Sequence, residues 1–148
     1  MYRGGRRNRV AALLNRAAAI LASMGLESKR LRRLVTIEVR GRRTGRLHSF
    51  PVVVADHEGG RYLVSMLGQN VNWVRNVRAT GGQVVLRHGR RDGVRLEEVD
   101  PGARAPILRR YLQIASGARP HIPLDSRAPL VEFEQIAAQY PVFRVRAD

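Results

Sequence analysis

Short segments in which apolar and polar residues alternate are the dominant pattern of this chain after residue 33. Within residues 34–40, for example, an apolar side chain at every second position alternates with Thr36 and Glu38, which is typical of a half-buried strand. Glycine-rich segments at 57–60 and 89–93 separate such patterns and predict turns between antiparallel neighbours. The same criteria predict six strands, over residues 34–40, 47–55, 61–65, 83–88, 94–99 and 142–145.

A second pattern, with apolar residues three and four positions apart, predicts helices. The first of them is surrounded by arginines, so we expect a basic amphipathic helix there, and Asn70 is the predicted N-cap of the second. Residues 116–129 contain three prolines and form a loop that is long for a compact domain, which makes them a candidate lid. The predicted helices span residues 8–24, 71–79, 103–115 and 131–139.

The order of these elements is that of an α+β protein with an antiparallel sheet. Six short strands favour a closed or split β-barrel with flanking helices, because an open meander of this size would leave long unpaired edges. The length of 148 residues is that of one domain with a buried core. We therefore expect an N-terminal basic helix within residues 1–28 and a split β-barrel, the ligand-binding domain, over residues 29–148.

The charge of the chain is strongly positive and is carried almost wholly by arginine. Lysine and arginine number 27 against 12 acidic residues, a formal net charge of +15, and Lys29 is the one lysine. Because the guanidinium group forms paired hydrogen bonds with phosphates and carboxylates, this excess indicates a polyanionic ligand, nucleic acid or an anionic membrane surface. Peripheral membrane contact through residues 8–24 is the alternative to packing of that helix on the core.

The absence of cysteine excludes disulfides, thiolate chemistry and cysteine-ligated metals, so redox chemistry would need a bound organic cofactor. The four histidines show no spacing typical of a metal site, and the carboxylates form no recognisable acid/base pair. No apolar run approaches the roughly 20 residues of a membrane span. We expect a cytoplasmic protein.

The segment Gly41-Arg42-Arg43-Thr44-Gly45-Arg46, here called the arginine turn (residues 41–46), is the strongest candidate site. Its arginines, hydroxyl and backbone amides suit a phosphate or carboxylate, although a hairpin turn with solvated arginines would have the same sequence. From Lys29 to Arg46 there are eight basic residues and one acidic residue, Glu38. This concentrated positive charge favours an anionic ligand.

The predicted helix at 71–79 carries a second group of candidates. Trp73, the one tryptophan, can anchor the core or form the wall of a site for a flat ligand. Asn72 and Asn76 lie one helical turn apart and could hydrogen-bond a heterocycle. Ser65 and Gly68, just before this helix, would let a ligand approach the backbone closely.

Three further residues are weaker candidates. His48 follows the arginine turn on the next strand, where a core or surface role is the alternative to ligand binding. Tyr111 and His121 lie near the predicted lid and are candidate substrate contacts. Tyr111 could equally be a half-buried helix residue.

Taken as an ordered set, these motifs resemble the deazaflavin-dependent nitroreductase and quinone reductase family, actinobacterial split β-barrel proteins related to the FMN-binding oxidoreductases. The resemblance covers residues 34–145, and its order and spacing are more specific than any single motif. It rests on Gly41-Arg-Arg-Thr-Gly45, on Pro51, on the turn at 57–60 before Arg61-Tyr-Leu-Val-Ser65, on Trp73-Val-Arg-Asn76 and on Pro141-Val-Phe-Arg-Val145.

The resemblance implies coenzyme F420, a deazaflavin with a phosphodiester and a polyglutamate tail. The arginine turn would hold the phosphate and tail, and the segments around Pro51 and from Ser65 to Trp73 would lie along the ring. The residues implied in cofactor binding are Arg42, Arg43, Thr44, Gly45, Arg46, His48, Pro51, Val52, Ser65, Met66, Leu67, Gly68, Asn72, Trp73 and Asn76.

The implied activity is hydride transfer from F420H2 to a quinone or another electron-poor, conjugated small molecule, by a monomer or homodimer. The deazaflavin carries the hydride, so a missing catalytic dyad is expected. The alternatives are a non-catalytic F420-, FMN- or haem-binding protein, and a basic nucleic-acid-binding barrel. We expect no nucleic acid partner, since aromatic residues, which would stack on bases, make up 5% of the chain.

Overall fold

The computed structural model describes residues 33–115 and 121–147, so the predicted helix at 8–24 and part of the predicted lid lie outside the described residues. None of the described helices is long and apolar enough to cross a membrane. The strands are β1 (Leu34–Arg40), β2 (Leu47–His57), β3 (Gly60–Val64), β4 (Gln83–His88), β5 (Arg90–Glu98) and β6 (Val142–Ala147). The helices are α1 (Asn72–Ala79), α2 (Ala105–Ile114) and α3 (Leu130–Ile136), with 3-10 turns at Pro101–Ala103 and Ala137–Gln139.

The six strands form a closed antiparallel barrel in the order β1-β2-β3-β6-β5-β4. Pairing of β1 with β4, in which Ile37 lies opposite Leu86, closes the barrel. This closure leaves no long unpaired edge, so the predicted α+β barrel is confirmed.

Two apolar clusters lie on opposite sides of the barrel wall. Inside it, Ile37, Leu63 and Phe143 pack with Val74 and Val77 of α1. Outside it, α2 and α3 cover the side chains of β2 and β3 that point away from the interior. Strand β2 is therefore buried on both faces over residues 52–55, which explains its continuous apolar run Val-Val-Val-Ala.

Two details of the sequence prediction are wrong. Strand β5 begins at Arg90, four residues before the predicted start, because Gly89 alone, at φ 79°, makes the turn and places His88 opposite Arg90. Helix α1 has Val71 at the N-cap position with no side-chain cap, whereas Asn70 accepts a hydrogen bond from Arg75.

Candidate active site

A shallow open cleft lies against the barrel wall, where β2 passes the end of β3, the start of α1 and the middle of α2. The side chains around it are almost all apolar, which suits a flat, weakly polar ring system. Its lining consists of Phe50, Pro51, Val52, Val53, Val64, Met66, Leu67, Trp73 and Tyr111.

Trp73 forms a rigid wall of this cleft. Its side chain is 6% exposed, and its ring stacks on Phe50 with centroids 6.1 Å apart and an interplanar angle of 23°. On the interior side the same ring packs at 5.8 Å against Phe143. Trp73 is therefore a core anchor that also lines the cleft, and its contact with a flat ligand stays a prediction.

The turn that follows β3 presents Met66 and Leu67 to the cleft. The buried hydroxyl of Ser65 donates a hydrogen bond of 2.6 Å to the carbonyl of Gly68, and the Ser65 amide donates to the carbonyl of Pro141. The Ser65 hydroxyl proton is thus used inside the turn. Ser65 shapes this side of the cleft through the backbone, while the side chains at 66 and 67 line it.

Tyr111 reaches the cleft from α2. It is 3% exposed, and its hydroxyl lies 3.5 Å from the sulfur of Met66, a weak acceptor. Burial raises the pKa of Tyr111 well above its ordinary value, so the phenol remains protonated. The hydroxyl can therefore exchange its weak partner for a carbonyl oxygen of a bound molecule.

The arginine turn is closed by its own hydrogen bonds. The amide of Gly41 donates to the carbonyl of Arg46 at 2.7 Å, and the amide of Gly45 donates to the carbonyl of Gly41 at 2.9 Å. The hydroxyl of Thr44 accepts from the Arg46 amide at 3.2 Å. Within the described residues, the amides of Arg43 and Thr44 make no hydrogen bond and remain as donors for a ligand.

Asn76 joins the arginine turn to α1. Its side-chain oxygen accepts one hydrogen bond from the Arg42 amide, at 3.1 Å, and one from Nη1 of the same arginine, at 2.9 Å. Asn76 is buried, whereas Asn72 on the same helix is exposed. Because Asn76 follows Trp73 by three residues, the turn is attached about 4.5 Å along the helix axis from the cleft wall.

The guanidinium groups at the turn have no acidic partner in the part of the chain that the structure describes. Arg42, Arg43, Arg46 and Arg75 form no ion pair with a carboxylate within residues 33–115 and 121–147. Burial and the neighbouring charges of Arg43 and Arg75 lower the pKa of Arg42. The region is therefore a concentrated positive field that an anion would stabilise.

Glu38 does not neutralise this field. It is 4% exposed and accepts hydrogen bonds from Arg87 at 2.8 Å and from Arg91 at 2.7 Å, both on the β4–β5 hairpin. The only acidic residue of the basic segment 29–46 is thus used on another part of the barrel surface. This separation strengthens the assignment of the turn as an anion site.

The two histidine candidates differ in position. His48 packs on the arginine turn so closely that a Cβ atom added to Gly41 would lie 2.7 Å from its Nε2. The carbonyl of His121 accepts a hydrogen bond from the Tyr140 hydroxyl, and this histidine does not line the cleft. The structure therefore brings His48 to the anion site and leaves His121 away from the cleft lining.

Sequence reasoning missed several residues of the site. Phe50, Val53 and Val64 line the cleft, and the charge of Arg75 acts on Arg42 of the arginine turn, whose pKa it helps to lower. The double-sided burial of β2 was visible as its continuous apolar run and could have indicated the lining of the cleft. No local signal distinguishes Arg75 from Arg78, the other arginine of α1.

Comparison with known proteins adds a family and a fold. The family model described as F420H(2)-dependent quinone reductase matches residues 14–119. No curated protein matches the sequence.

The solved structures with similar folds are distant in sequence. Protein Atu2129 of Agrobacterium tumefaciens has a TM-score of 0.58 at 12% identity, covering 79% of this chain and 50% of its own. A protein described as a domain-swapped dimer has a TM-score of 0.55 at 15% identity, covering 95% and 96%. A Clostridium acetobutylicum protein described as related to general stress protein 26, of the pyridoxinephosphate oxidase family, has a TM-score of 0.51 at 12% identity, covering 92% and 84%.

Proposed function

Because this chain belongs to the F420H(2)-dependent quinone reductase family, we propose that it reduces a quinone, or a similar electron-poor conjugated acceptor, with F420H2 as the hydride source. The protein is an F420-dependent oxidoreductase. What the structure adds is a positively charged turn attached directly beside an apolar cleft.

The residues present fit coenzyme F420. Its acidic part, a phosphodiester and a polyglutamate tail, is matched by guanidinium groups that have no carboxylate partner within the described residues, among them Arg42, Arg43 and Arg46. Its flat ring is matched by the apolar lining next to Trp73. FMN, the alternative, has a single short phosphate and would leave part of this arginine cluster without a partner.

The cofactor-binding roles divide between the two parts of the site. The residues proposed to bind the phosphate and tail lie on or against the arginine turn, and those proposed to contact the ring lie in the cleft. The first group is Arg42, Arg43, Thr44, Gly45, Arg46 and His48. The second group is Pro51, Val52, Met66, Leu67 and Trp73. Ser65 and Gly68 hold the turn after β3 through the hydrogen bond between them.

When bound, F420H2 supplies a hydride from carbon 5 of its ring. The chain itself has to hold the ring flat, place the acceptor against it and exclude water. Trp73 is fixed between Phe50 and Phe143 and gives a rigid wall against which the ring would lie. Pro51 and Leu67 add apolar surface to the cleft, from which a bound ring and acceptor would displace water.

Tyr111 is the proposed hydrogen-bond donor to an oxygen of the acceptor. Its hydroxyl is at the cleft, and among residues 33–115 and 121–147 its one hydrogen-bond partner is the Met66 sulfur. Because burial raises its pKa, losing the proton is unfavourable, so the phenol orients and polarises the acceptor while solvent supplies the proton of the product. His121 has no proposed role, since it does not line the cleft.

Tryptophan fluorescence tests this proposal directly, because Trp73 is the one tryptophan and lines the cleft. We expect F420 to quench it and to bind more tightly than FMN, with the difference shrinking at high salt. Oxidation of F420H2 by menadione should then follow, measured by the return of F420 absorbance. Binding without turnover would make the protein a carrier, and absence of quenching by F420 would refute the proposal.

Two arginine variants separate the effect of a charge in the arginine turn from the effect of lowering the net charge of the protein. Arg43→Ala should weaken F420 binding, since Arg43 lies in the arginine turn and has no ion pair with a carboxylate within the described residues. Arg61→Ala is the matched control: Arg61 is exposed and lies in β3 opposite Asp56, roughly 30 Å along β2 from the arginine turn. Equal affinity in the two variants would show that the arginine turn does not hold the tail.

The oligomeric state proposed is a homodimer. A protein of the same fold, with 96% of its length covered by this chain, is described as a domain-swapped dimer. Light scattering would distinguish the 16.6 kDa monomer from a particle of twice that mass, and a single monomeric species at assay concentration would refute the dimer.

A further inference from the structure

We propose that the anion site is built from two elements, with Arg75 of α1 as a further guanidinium beside the arginine turn and Asn76 as the positioning residue that holds the two elements together. The proposal rests on the use of F420 proposed above. It gives Asn76 a role through Arg42 rather than the direct ligand contact predicted from the sequence.

The contacts of Asn76 define its positioning role. A single side-chain oxygen accepts from both the backbone amide and the Nη1 of Arg42, so it fixes the path of the turn and the direction of the guanidinium together. Asn76 is 4% exposed, and a buried polar group of this kind is expensive to leave without its partners. The two bonds join residues 34 positions apart, so they dock the hairpin onto the helix.

Arg75 differs from Arg78, the arginine that follows it by one turn of α1. Arg78 is neutralised by Glu98, with hydrogen bonds of 2.9 and 2.7 Å to the two carboxylate oxygens. Arg75 donates only to the neutral amide oxygen of Asn70, at 3.3 Å, and keeps its charge uncompensated within the described residues. The helix thus presents one balanced arginine and one available for an anion.

Arg75 is also close enough to the turn to act with it. Arg75 directly precedes Asn76, whose side chain binds Arg42. Consistent with this placement, the charges of Arg75 and Arg43 each disfavour the charged form of Arg42 and lower its pKa. Three like charges on two elements destabilise the ligand-free protein, and a bound polyanion relieves this repulsion. A ligand with several acidic groups would use all three, whereas a single phosphate would not.

This arrangement predicts selectivity for the acidic tail of the cofactor. Removing Arg75 should weaken the binding of a ligand that carries phosphate and glutamates and leave the binding of the bare chromophore unchanged. Removing the Asn76 acceptor should have the same selectivity and should in addition loosen the turn in the ligand-free protein.

The experiment compares F420 with the same deazaflavin chromophore lacking phosphate and glutamates, using Trp73 quenching. Arg75→Gln should weaken the affinity for F420 about tenfold, which is the effect of losing roughly one charge-assisted contact. It should change the affinity for the bare chromophore less than about twofold, a difference near RT. Arg61→Gln, the control in β3 opposite Asp56, should change neither.

Asn76 is tested by amide hydrogen exchange as well as by binding. Asn76→Ala should speed exchange of the Arg42 amide in the ligand-free protein and weaken F420 binding. Asn76→Asp keeps an acceptor oxygen and should restore slow exchange, while its added negative charge keeps F420 binding weak. Unchanged exchange of the Arg42 amide in Asn76→Ala would refute the positioning role.

The outcomes separate this inference from the proposed function. If the parent protein binds neither ligand, the proposed function fails. If it binds both ligands and Arg75→Gln behaves like Arg61→Gln toward F420, the proposed function stands and the two-element site is wrong. Arg75 is exposed, so its variant keeps the test valid even if the buried Asn76 variants fold poorly.

Discussion

Gly82→Ala should destabilise the protein strongly, because Gly82 connects helix α1 to the barrel wall. Its amide donates to the carbonyl of Val77 at the end of the helix, and its carbonyl accepts from the amide of Leu96 in β5 at 2.8 Å. The residue has φ 89°, and a Cβ atom there would lie 2.2 Å from the carbonyl oxygen of Leu96. No side-chain rotation relieves a contact between Cβ and backbone.

The expected loss of stability has two parts. A non-glycine residue at positive φ costs about 1–2 kcal/mol. Relieving the contact means moving the helix end away from β5, which costs about 1–3 kcal/mol as overpacking and weakens the bond between the Leu96 amide and the Gly82 carbonyl. The free energy of unfolding should therefore fall by about 3 kcal/mol, equivalent to roughly 6–12 °C in Tm for a domain of this size.

Gly81→Ala is the matched control for this prediction. Gly81 also has positive φ, 67°, but a Cβ atom there would meet nothing within 4 Å. Only the conformational cost of about 1–2 kcal/mol applies. Urea denaturation, followed by Trp73 fluorescence, gives both values. Equal losses in the two variants would refute the reasoning, since they would show that the contact with Leu96 is relaxed without cost.

Two further predictions concern acid stability and the cleft turn. Hydrogen bonding to Arg78 lowers the pKa of Glu98 in the folded protein, so the stability from this pair is present above pH 4.5 and is lost as pH falls through the folded pKa. Denaturation at several pH values should show a wild-type advantage over Glu98→Gln at pH 7 that disappears in acid; a constant difference would contradict this. Ser65→Ala, which removes the hydrogen bond to the Gly68 carbonyl, should lower the free energy of unfolding by about 1 kcal/mol and weaken F420 binding. Ser49→Ala, at an exposed position, should do neither. Denaturation measures the first effect and Trp73 quenching the second.

The parts of the fold that depend on local patterns were predictable from the sequence. Strands β1 and β4 match their predicted limits, Leu34–Arg40 and Gln83–His88. Alternation marks both strands, and glycines follow β1 and flank β4 on both sides. The first residues of β5, Arg90 to Asp92, are polar and resemble a loop. They form strand because they pair with β4, a tertiary contact that no local pattern shows.

The site was predictable as two separate motifs but not as one constellation. The arginine turn and the Trp73 helix stand out in composition, and the structure supports their nearness through Arg42 and Asn76. The sequence predicts that Asn76 contacts a ligand. Its hydrogen bonds with Arg42, 34 positions earlier, leave no periodic signal in the sequence. The choice of Arg75 over Arg78 likewise depends on Glu98, which only the fold brings to the helix.

The central claim is that the arginine turn and the cleft beside Trp73 bind one molecule of F420 together. The most direct measurement is a crystal structure of the complex with F420. We predict the deazaflavin ring against Trp73 and Pro51, with its phosphate within hydrogen-bond distance of the guanidinium groups of Arg42 and Arg43. A structure with the ring outside the cleft, or with the phosphate away from the arginine turn, would contradict the account.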